Sequence, residues 1–185
     1  MEAAVKPKMR TVDMAYIAMF AVVMAVCAWI SIPAAVPFTL QTLGVFLAVG
    51  MLGGKRGTLA VLIYLLLGAV GMPVFAGFNG GLGYMLGSTG GYIVGFALSA
   101  LTMWGFEAAL GRKTWVLAVS MVLGLAVCYA FGTAWFMLVY ARATGPVGLL
   151  TALGWCVLPY IPVDAVKMAL ALAIRKRLAA AIRIR

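Results

Sequence analysis

Asp164 and Lys167 are the only charged side chains in an apolar stretch near the C-terminus, residues 162–174. Residues at positions i and i+3 share one face of a helix. Ionisable groups within a membrane are costly, so they face the bundle interior, pair with each other or bind a ligand. The spacing therefore predicts either an ion pair at the start of a helix or a polar clamp. In the clamp, Asp164 accepts N–H bonds while Lys167 binds an anion or donates to a carbonyl.

Two side-chain amides lie in segments that contain glycine or proline. Asn79 is part of residues 73–91, a stretch with seven glycines that let a backbone approach a ligand closely. It contacts a ligand there or provides a left-handed turn residue. Gln41 is the last residue of the broken segment 33–41. Hydroxyl and aromatic groups accompany these amides, either as ligand contacts or as the aromatic belt of a membrane protein. They are Tyr92, Tyr129, Thr133, Trp135 and Tyr160.

The amino-acid composition indicates the class of protein to which these side chains belong. The chain has 185 residues, of which 66% are hydrophobic and 10% charged, and its mean hydropathy is +1.14. Soluble domains are about half apolar and about a quarter charged. The chain has no His and its three Cys are widely spaced, so neither a metal site nor a disulfide framework is predicted. It has no phosphate-binding loop, so it is not predicted to hydrolyse ATP. We expect an integral membrane protein without a cofactor.

Hydropathy and helix-breaking residues predict a single all-α transmembrane domain with six spans. They cover about 14–32, 42–52, 58–72, 92–110, 115–140 and 162–174, followed by a basic tail, 175–185. The second span ends in a predicted turn, 53–57. A short apolar segment, 147–158, lies between two prolines and is expected to form an interfacial or re-entrant helix.

The positive charges predict the orientation of this domain. If the N-terminus is cytoplasmic, twelve of the fourteen Lys and Arg residues fall on the inner side, as the positive-inside rule requires. They are Lys6, Lys8, Arg10, Lys55, Arg56, Arg112, Lys113, Arg175, Lys176, Arg177, Arg183 and Arg185. Both termini are thus expected in the cytoplasm. The basic tail suits the anionic inner leaflet better than a nucleic acid.

This topology brings three irregular segments, 33–41, 73–91 and 142–161, to the external side. Irregular backbone at membrane depth is tolerated where protein buries it or where it lines a cavity. We therefore expect external loops that cap a ligand pocket near the outer surface. Ordinary surface loops are the alternative.

Alanines recur along one side of the first helix, and Ala21 and Ala25 form a small-xxx-small pair. Such pairs let another helix approach closely within lipid. Ala18, Ala21 and Ala25 therefore either pack against the protein's own helices or dock a separate membrane subunit.

Several motifs in one order resemble those of the BioY family, the biotin-specific S components of energy-coupling factor (ECF) transporters. They are FTLQT (38–42), GMPVFA (71–76), NGG (79–81), GSTGGY (87–92) with GF (95–96), GTAW (132–135) and PVDAVK (162–167). The resemblance covers nearly the whole chain. It implies six helices in a bacterial or archaeal plasma membrane, and no enzymatic activity.

The resemblance also implies a ligand and partners. Asn79, Asp164 and Lys167 match the polar requirements of biotin, while Phe75, Tyr92 and Trp135 provide apolar walls. The loops around Gln41 and Asn79 are expected to close over the ligand. The alanine-rich first helix is expected to dock on a transmembrane coupling (T) subunit, which works with two ATPase subunits.

Three other interpretations stay open at this point. An S component for another small vitamin is the nearest of them. An intramembrane enzyme with Asp164 as acid or base and Lys167 as nucleophile is another, and a purely structural membrane subunit is the third.

Overall fold

A computed structural model describes residues 9–34 and 36–178. This part of the chain folds into eight α-helices, a short antiparallel ribbon and one turn of 3-10 helix. The helices are α1 (Thr11–Trp29), α2 (Gln41–Leu52), α3 (Gly54–Ala69), α4 (Leu82–Met85), α5 (Gly90–Leu110), α6 (Thr114–Ala143), α7 (Leu149–Cys156) and α8 (Tyr160–Leu178). The prediction of an all-helical membrane fold is confirmed.

The first predicted loop contains the ribbon. Strands β1 (Ser31–Ile32) and β2 (Phe38–Thr39) pair antiparallel, with Ser31 opposite Thr39. The predicted first span includes the residues of β1, whereas α1 ends at Trp29. A further backbone bond from the Leu40 amide to the Cys27 carbonyl, 3.1 Å, ties the exit of the ribbon to α1. The ribbon thus delivers the chain to the start of α2 in a fixed position.

The turn between α2 and α3 is shorter than predicted. It consists of Gly53 alone, whose φ of 85° is a conformation that glycine adopts without strain, and α3 begins at Gly54. The prediction of a turn over 53–57 is therefore wrong. Gly57 lies inside α3, and a Cβ there would come within 2.4 Å of the Val49 backbone. The missing side chain is what allows α2 and α3 to pack so closely.

Three of the described helices, α1, α5 and α6, are long and apolar enough to cross a membrane. Helices α7 and α8, which meet at a 44° bend, meet the same criterion only as a pair. Helix α2 extends about 18 Å at 1.5 Å per residue. Ten of its twelve residues are buried, so neighbouring helices rather than lipid surround it. The count of six spans stays a prediction.

The glycine-rich segment is a broken structure, as expected for its composition. It contains the 3-10 turn Ala76–Phe78 and the single turn α4. Gly77 and Phe78 have φ values of 67° and 59°. The backbone therefore reverses direction just before Asn79.

Helix α8 starts two residues before Pro162 and continues through the basic residues 175–177, which we predicted to be tail. The remainder of the predicted tail, 179–185, lies outside the described residues, as do Lys6 and Lys8. Helix α8 packs mainly against α2, and also against α6. This packing brings side chains separated by more than 120 residues into contact.

The alanines of α1 do not form one exposed stripe. Ala21 and Ala25 are 2% and 5% exposed and belong to the core, whereas Ala18 is exposed. The prediction that Ala21 and Ala25 form a docking surface is therefore corrected: they pack against the protein's own helices. Gly44 of α2 shows how close that packing is, since a Cβ there would lie 2.9 Å from Met24 Cγ.

Candidate functional site

A buried ion pair joins Asp164 and Lys167 on α8. The Lys167 Nζ atom lies 2.7 Å from Asp164 Oδ1, and the two residues are 4% and 2% exposed, respectively. One helical turn separates them, so the i,i+3 spacing alone sets this contact. The first of the two predicted arrangements, an ion pair at the start of the helix, is present.

Neighbouring helices add two hydroxyl groups to this pair. The Thr42 hydroxyl, at the start of α2, donates to Asp164 Oδ1 at 2.8 Å and accepts from Lys167 Nζ at 3.1 Å. The Tyr129 hydroxyl, on α6, donates to Asp164 Oδ2 at 2.5 Å. Both carboxylate oxygens are thus hydrogen-bonded, which lets a charge remain in a buried place. We refer to Thr42, Tyr129, Asp164 and Lys167 as the polar cluster.

The polar cluster forms part of the wall of a cavity between α2, α5, α6 and α8. The cavity has a volume of about 60 Å³, and its wall is mostly apolar or aromatic. All four cluster residues line it. The other lining residues are Val36, Pro37, Thr39, Gln41, Ala76, Tyr84, Thr89, Tyr92, Ile93, Phe96, Cys128, Cys156 and Tyr160. Ligand sites have this character, apolar walls with a few polar groups at defined positions.

Gln41 fixes one side of the cavity. Its amide nitrogen donates to the Tyr64 hydroxyl at 2.6 Å, and its amide oxygen accepts from the Thr39 hydroxyl at 2.9 Å. Tyr64 in turn donates to the Val74 carbonyl at 3.0 Å. This chain of hydrogen bonds connects the ribbon, α3 and the glycine-rich segment, so the loops on that side are tied to the helical core.

An aromatic pair links the ribbon to Tyr160, which lines the cavity. Phe38 stacks on Tyr160 with ring centroids 4.0 Å apart. The Tyr160 hydroxyl donates to the Val36 carbonyl. Because Tyr160 begins α8, these contacts hold the loop before α2 against the helix that carries the ion pair.

Comparisons with known proteins identify the family of the chain. The sequence matches the family model described as the BioY family over residues 1–184. The chain belongs to the BioY family. A probable biotin transporter BioY of Pyrococcus horikoshii is 42% identical over 171 residues, 92% of this chain and 98% of that protein. The biotin transporter BioY of Thermotoga maritima is 50% identical over 114 residues, 61% and 67% of the two chains.

A solved structure shares the fold of this BioY chain. The crystal structure of the S-component for biotin from an ECF-type ABC transporter superposes with a TM-score of 0.82 at 27% sequence identity. The match covers 96% of this chain and 95% of that one. The resemblance to the BioY family, drawn from the ordered motifs, is therefore confirmed.

The structure brings several of the predicted site residues of this BioY chain together. Gln41, Tyr92, Asp164 and Lys167 all line the cavity. Thr133 lies one layer behind it, where its hydroxyl is 2.9 Å from the Tyr92 hydroxyl. Thr133 therefore orients a lining side chain.

Asn79, Phe75 and Trp135 do not line the cavity. Asn79 is exposed, and its amide nitrogen donates to the Ala76 carbonyl at 2.8 Å. In this structure the side chain points away from the cavity because the amide caps its own loop, and a contact between Asn79 and a ligand stays a prediction. Its backbone φ of −82° also excludes the left-handed turn that we considered as the alternative. Asn79 instead supports Ala76, which does line the cavity.

Phe75 and Trp135, which were predicted to form apolar walls, likewise lie outside the cavity lining. Phe75 is fully buried and stacks on Tyr84, a lining residue, with ring centroids 5.8 Å apart. The Trp135 indole donates to the Gly87 carbonyl at 3.0 Å. In this structure both side chains support residues around the cavity, and the predicted contact of each with a ligand stays a prediction.

Sequence reasoning missed the contribution of Thr42. Thr42 forms part of the FTLQT motif, but its neighbours carry no charge, so nothing local marks it as a partner of the ion pair. Its contact with Asp164 spans 122 residues of sequence. Tyr129 was noted only as one of several aromatic hydroxyls, and its link to Asp164 depends on the packing of α6 against α8.

Proposed function

We propose that this protein captures biotin as the S component of an ECF-type transporter. The single observation that supports the proposal best is the buried polar cluster in the wall of an otherwise apolar cavity. Family membership adds the ligand class, since the relatives named above are biotin transporters. The function is uptake, without a chemical change in the ligand.

The chemistry of the cavity matches that of biotin. The ureido ring of biotin has two N–H donors and one carbonyl acceptor, its sulfur ring and chain are apolar, and its carboxylate is an anion. Asp164 accepts N–H bonds, and Lys167 donates to a carbonyl or binds a carboxylate. The apolar walls, with Tyr92, Ile93 and Phe96 from α5, provide surface for the ring.

Binding requires the cavity to enlarge. At about 60 Å³ it is far smaller than the sites of about 300–1,000 Å³ that enclose small-molecule ligands. Outside the helices, the segments that line it are the ribbon segment with Val36, Pro37 and Thr39 and the glycine-rich segment with Ala76. We propose that these two segments move outward to admit the ligand and then close over it. Asn79, which bonds to Ala76, belongs to this moving part.

The charges support an orientation for the protein in the membrane. Asp164 and Lys167 lie near the start of α8, and Arg175 and Lys176 lie about 12–18 Å further along the same helix at 1.5 Å per residue. With the basic end of α8 in the cytoplasm, the cavity opens toward the outer surface. Both termini are then cytoplasmic, and six crossings of the plasma membrane account for the chain.

Energy for uptake comes from partner subunits in this proposal. The T subunit docks on the exposed face of α1, which includes Ala18, and two ATPase subunits drive reorientation of the complex. Ala21 and Ala25 contribute indirectly, because they let α1 pack closely against the core. This exposed face is strongly apolar, with Val22 60% exposed.

Mass spectrometry of the purified protein under denaturing conditions tests the ligand class. Co-purified biotin of unchanged mass is expected. Calorimetric titration with biotin, thiamine and riboflavin then tests the alternative vitamin specificity. Saturable binding of thiamine or riboflavin but not of biotin would contradict the proposal, and a mass change in bound biotin would favour the enzyme interpretation. A purely structural subunit would bind none of the three.

A further inference from the structure

A second polar site lies at the opposite end of the helix bundle from the biotin cavity. A small cavity of about 10 Å³ is lined by side chains from α2, α5, α6, α8 and the connection between α5 and α6. Its charged lining residues are Glu107, Arg112, Lys113 and Arg175. Three cations and one carboxylate therefore surround this cavity within the described part of the chain.

The Glu107 carboxylate does not neutralise the positive charge of the three basic residues. Glu107 Oε1 lies 3.6 Å from Arg112 Nε, and its Oε2 accepts the Gly54 amide at 3.0 Å. Glu107 is thus shared between one arginine and the first turn of α3. Arg175 has no carboxylate within 4.0 Å among the described residues. Its guanidinium donates to the Arg112 backbone carbonyl at 3.4 Å.

The donors in this group exceed the acceptors. Each guanidinium carries five N–H groups. Arg112 directs one of them to the Met51 carbonyl at 3.3 Å and another toward Glu107. Helix α6 begins at Thr114 with no side-chain cap, so the positive end of a 30-residue helix faces the same region. A monovalent or divalent oxyanion is the ligand class that such an excess of donors and positive charge fits.

We infer that Arg112, Lys113 and Arg175 bind the phosphate of an anionic phospholipid in the inner leaflet. This inference rests on the orientation proposed above, which places this end of the bundle at the cytoplasmic surface. Basic pockets between transmembrane helices on that side bind lipid head groups. Inorganic phosphate has the same chemistry. A lipid is favoured because Trp115 and Leu110, which flank the cluster in sequence, are 56% and 46% exposed and apolar.

Lipid retention by the purified full chain tests the inference. Detergent-solubilised protein is supplied with phosphatidylglycerol or phosphatidylcholine, and native mass spectrometry measures the lipid that remains bound. Wild type is expected to retain phosphatidylglycerol preferentially. In the double variant Arg112→Gln/Arg175→Gln, retention should fall about 10- to 30-fold, as expected for about 1 kcal/mol per cation near a lipid surface. Arg142→Gln, an exposed arginine at the other end of the bundle, should retain the lipid like wild type.

Each of the following outcomes would reject the proposal of a lipid site. Equal retention of the two lipids by wild type, or equal retention by wild type and the double variant, would remove it. Millimolar inorganic phosphate that raises the unfolding temperature as much as phosphatidylglycerol would assign the cluster to a free anion. Unchanged lipid retention with loss of T-subunit binding would assign it to a protein contact.

Two further measurements separate this inference from folding defects and from the biotin proposal. Should the double variant misfold, Lys113→Gln at an exposed position replaces it, with a smaller loss of retention expected. Biotin titration of the same samples reports on the other end of the molecule. Wild type that binds biotin but shows no preference for phosphatidylglycerol would reject only the lipid site. Wild type that retains phosphatidylglycerol preferentially but does not bind biotin would reject only the biotin cavity.

Discussion

Lys167 Nζ and Asp164 Oδ1 lie 2.7 Å apart, and both side chains are almost completely buried. An ion pair of this kind is a poor source of stability, because the cost of removing two charges from water offsets most of their attraction. Its value to this protein lies in binding. The pair keeps a strong acceptor and a strong donor at the wall of an apolar cavity, where a polar ligand can exchange for the internal hydrogen bonds.

The pair should behave as one unit in unfolding experiments. Asp164→Asn or Lys167→Gln alone leaves a buried charge without its partner, and breaking such a pair costs about 3–5 kcal/mol. The double variant should lose about 0.5–3 kcal/mol less than the sum of the single losses. Thermal unfolding of the detergent-solubilised proteins measures this difference. Additive losses would show that the two side chains are not coupled.

The Tyr129 hydroxyl should contribute more to the free energy of unfolding than a tyrosine hydroxyl that bonds to a neutral partner. Tyr129→Phe removes a hydrogen bond to a carboxylate, worth about 1.5–3 kcal/mol, and should weaken biotin binding through the changed position of Asp164. Tyr92→Phe is the matched control for stability, because its hydroxyl bonds to Thr133 and a neutral hydrogen bond contributes about 0.5–1.5 kcal/mol. A larger loss of stability in the control would rule out the charged character of the Asp164 contact.

Gly132 should be intolerant of a side chain. A Cβ there would lie 2.2 Å from Tyr92 Cδ1, so Gly132→Ala forces a lining aromatic ring to move. Overpacking of this kind costs about 1–3 kcal/mol. Gly105→Ala is the control, since Gly105 lies inside α5 with nothing within 4 Å of an added Cβ. That change should be neutral or stabilising by up to about 1 kcal/mol. Equal unfolding temperatures for the two variants would contradict the close contact of α5 with α6.

Substitution of Asn79 tests whether its side chain contacts biotin or only supports the loop. Because its amide bonds to the Ala76 carbonyl, Asn79→Ala should weaken biotin binding less than Asp164→Asn does. Titration calorimetry on the two variants measures the ratio. A loss as large as that of Asp164→Asn would mean that Asn79 enters the cavity when the loops close.

The proposed orientation can be tested by chemical labelling in intact cells. Arg142→Cys is expected to react with a membrane-impermeant maleimide, whereas Lys113→Cys reacts only after the cells are opened. Wild type is the background control, because it reports any labelling of the half-buried Cys27 and of the buried Cys128 and Cys156. The reverse pattern would invert the topology.

Much of the fold could be predicted because it depends on local properties. Apolar runs bounded by glycine, proline and basic residues predicted every long helix, and the i,i+3 spacing predicted the Asp164–Lys167 contact. The boundaries were less accurate. Only Gly53 of the segment 53–57 is a turn, because Gly57 is needed for packing of α3 on the Val49 backbone rather than for chain reversal.

The remainder of the site depends on contacts between distant residues. Nothing near Thr42 in the sequence indicates that its hydroxyl meets Asp164. The direction of Asn79 depends on the positive φ angles of Gly77 and Phe78 just before it. Which alanines of α1 are exposed depends on how α1 rotates against α2 and α3. Composition and spacing do not determine any of these.

Calorimetric titration of biotin into wild type, Asp164→Asn and Asp13→Asn tests the central proposal most directly. Asp13 is the matched control, a buried carboxylate that pairs with Arg56 at 3.0 Å and does not line the biotin cavity. Asp164→Asn should weaken biotin binding at least about tenfold, since a hydrogen bond to a charged group is worth about 1.5–3 kcal/mol. Asp13→Asn should bind biotin like wild type. Equal biotin affinity in all three proteins would contradict the assignment of this cavity as the biotin site.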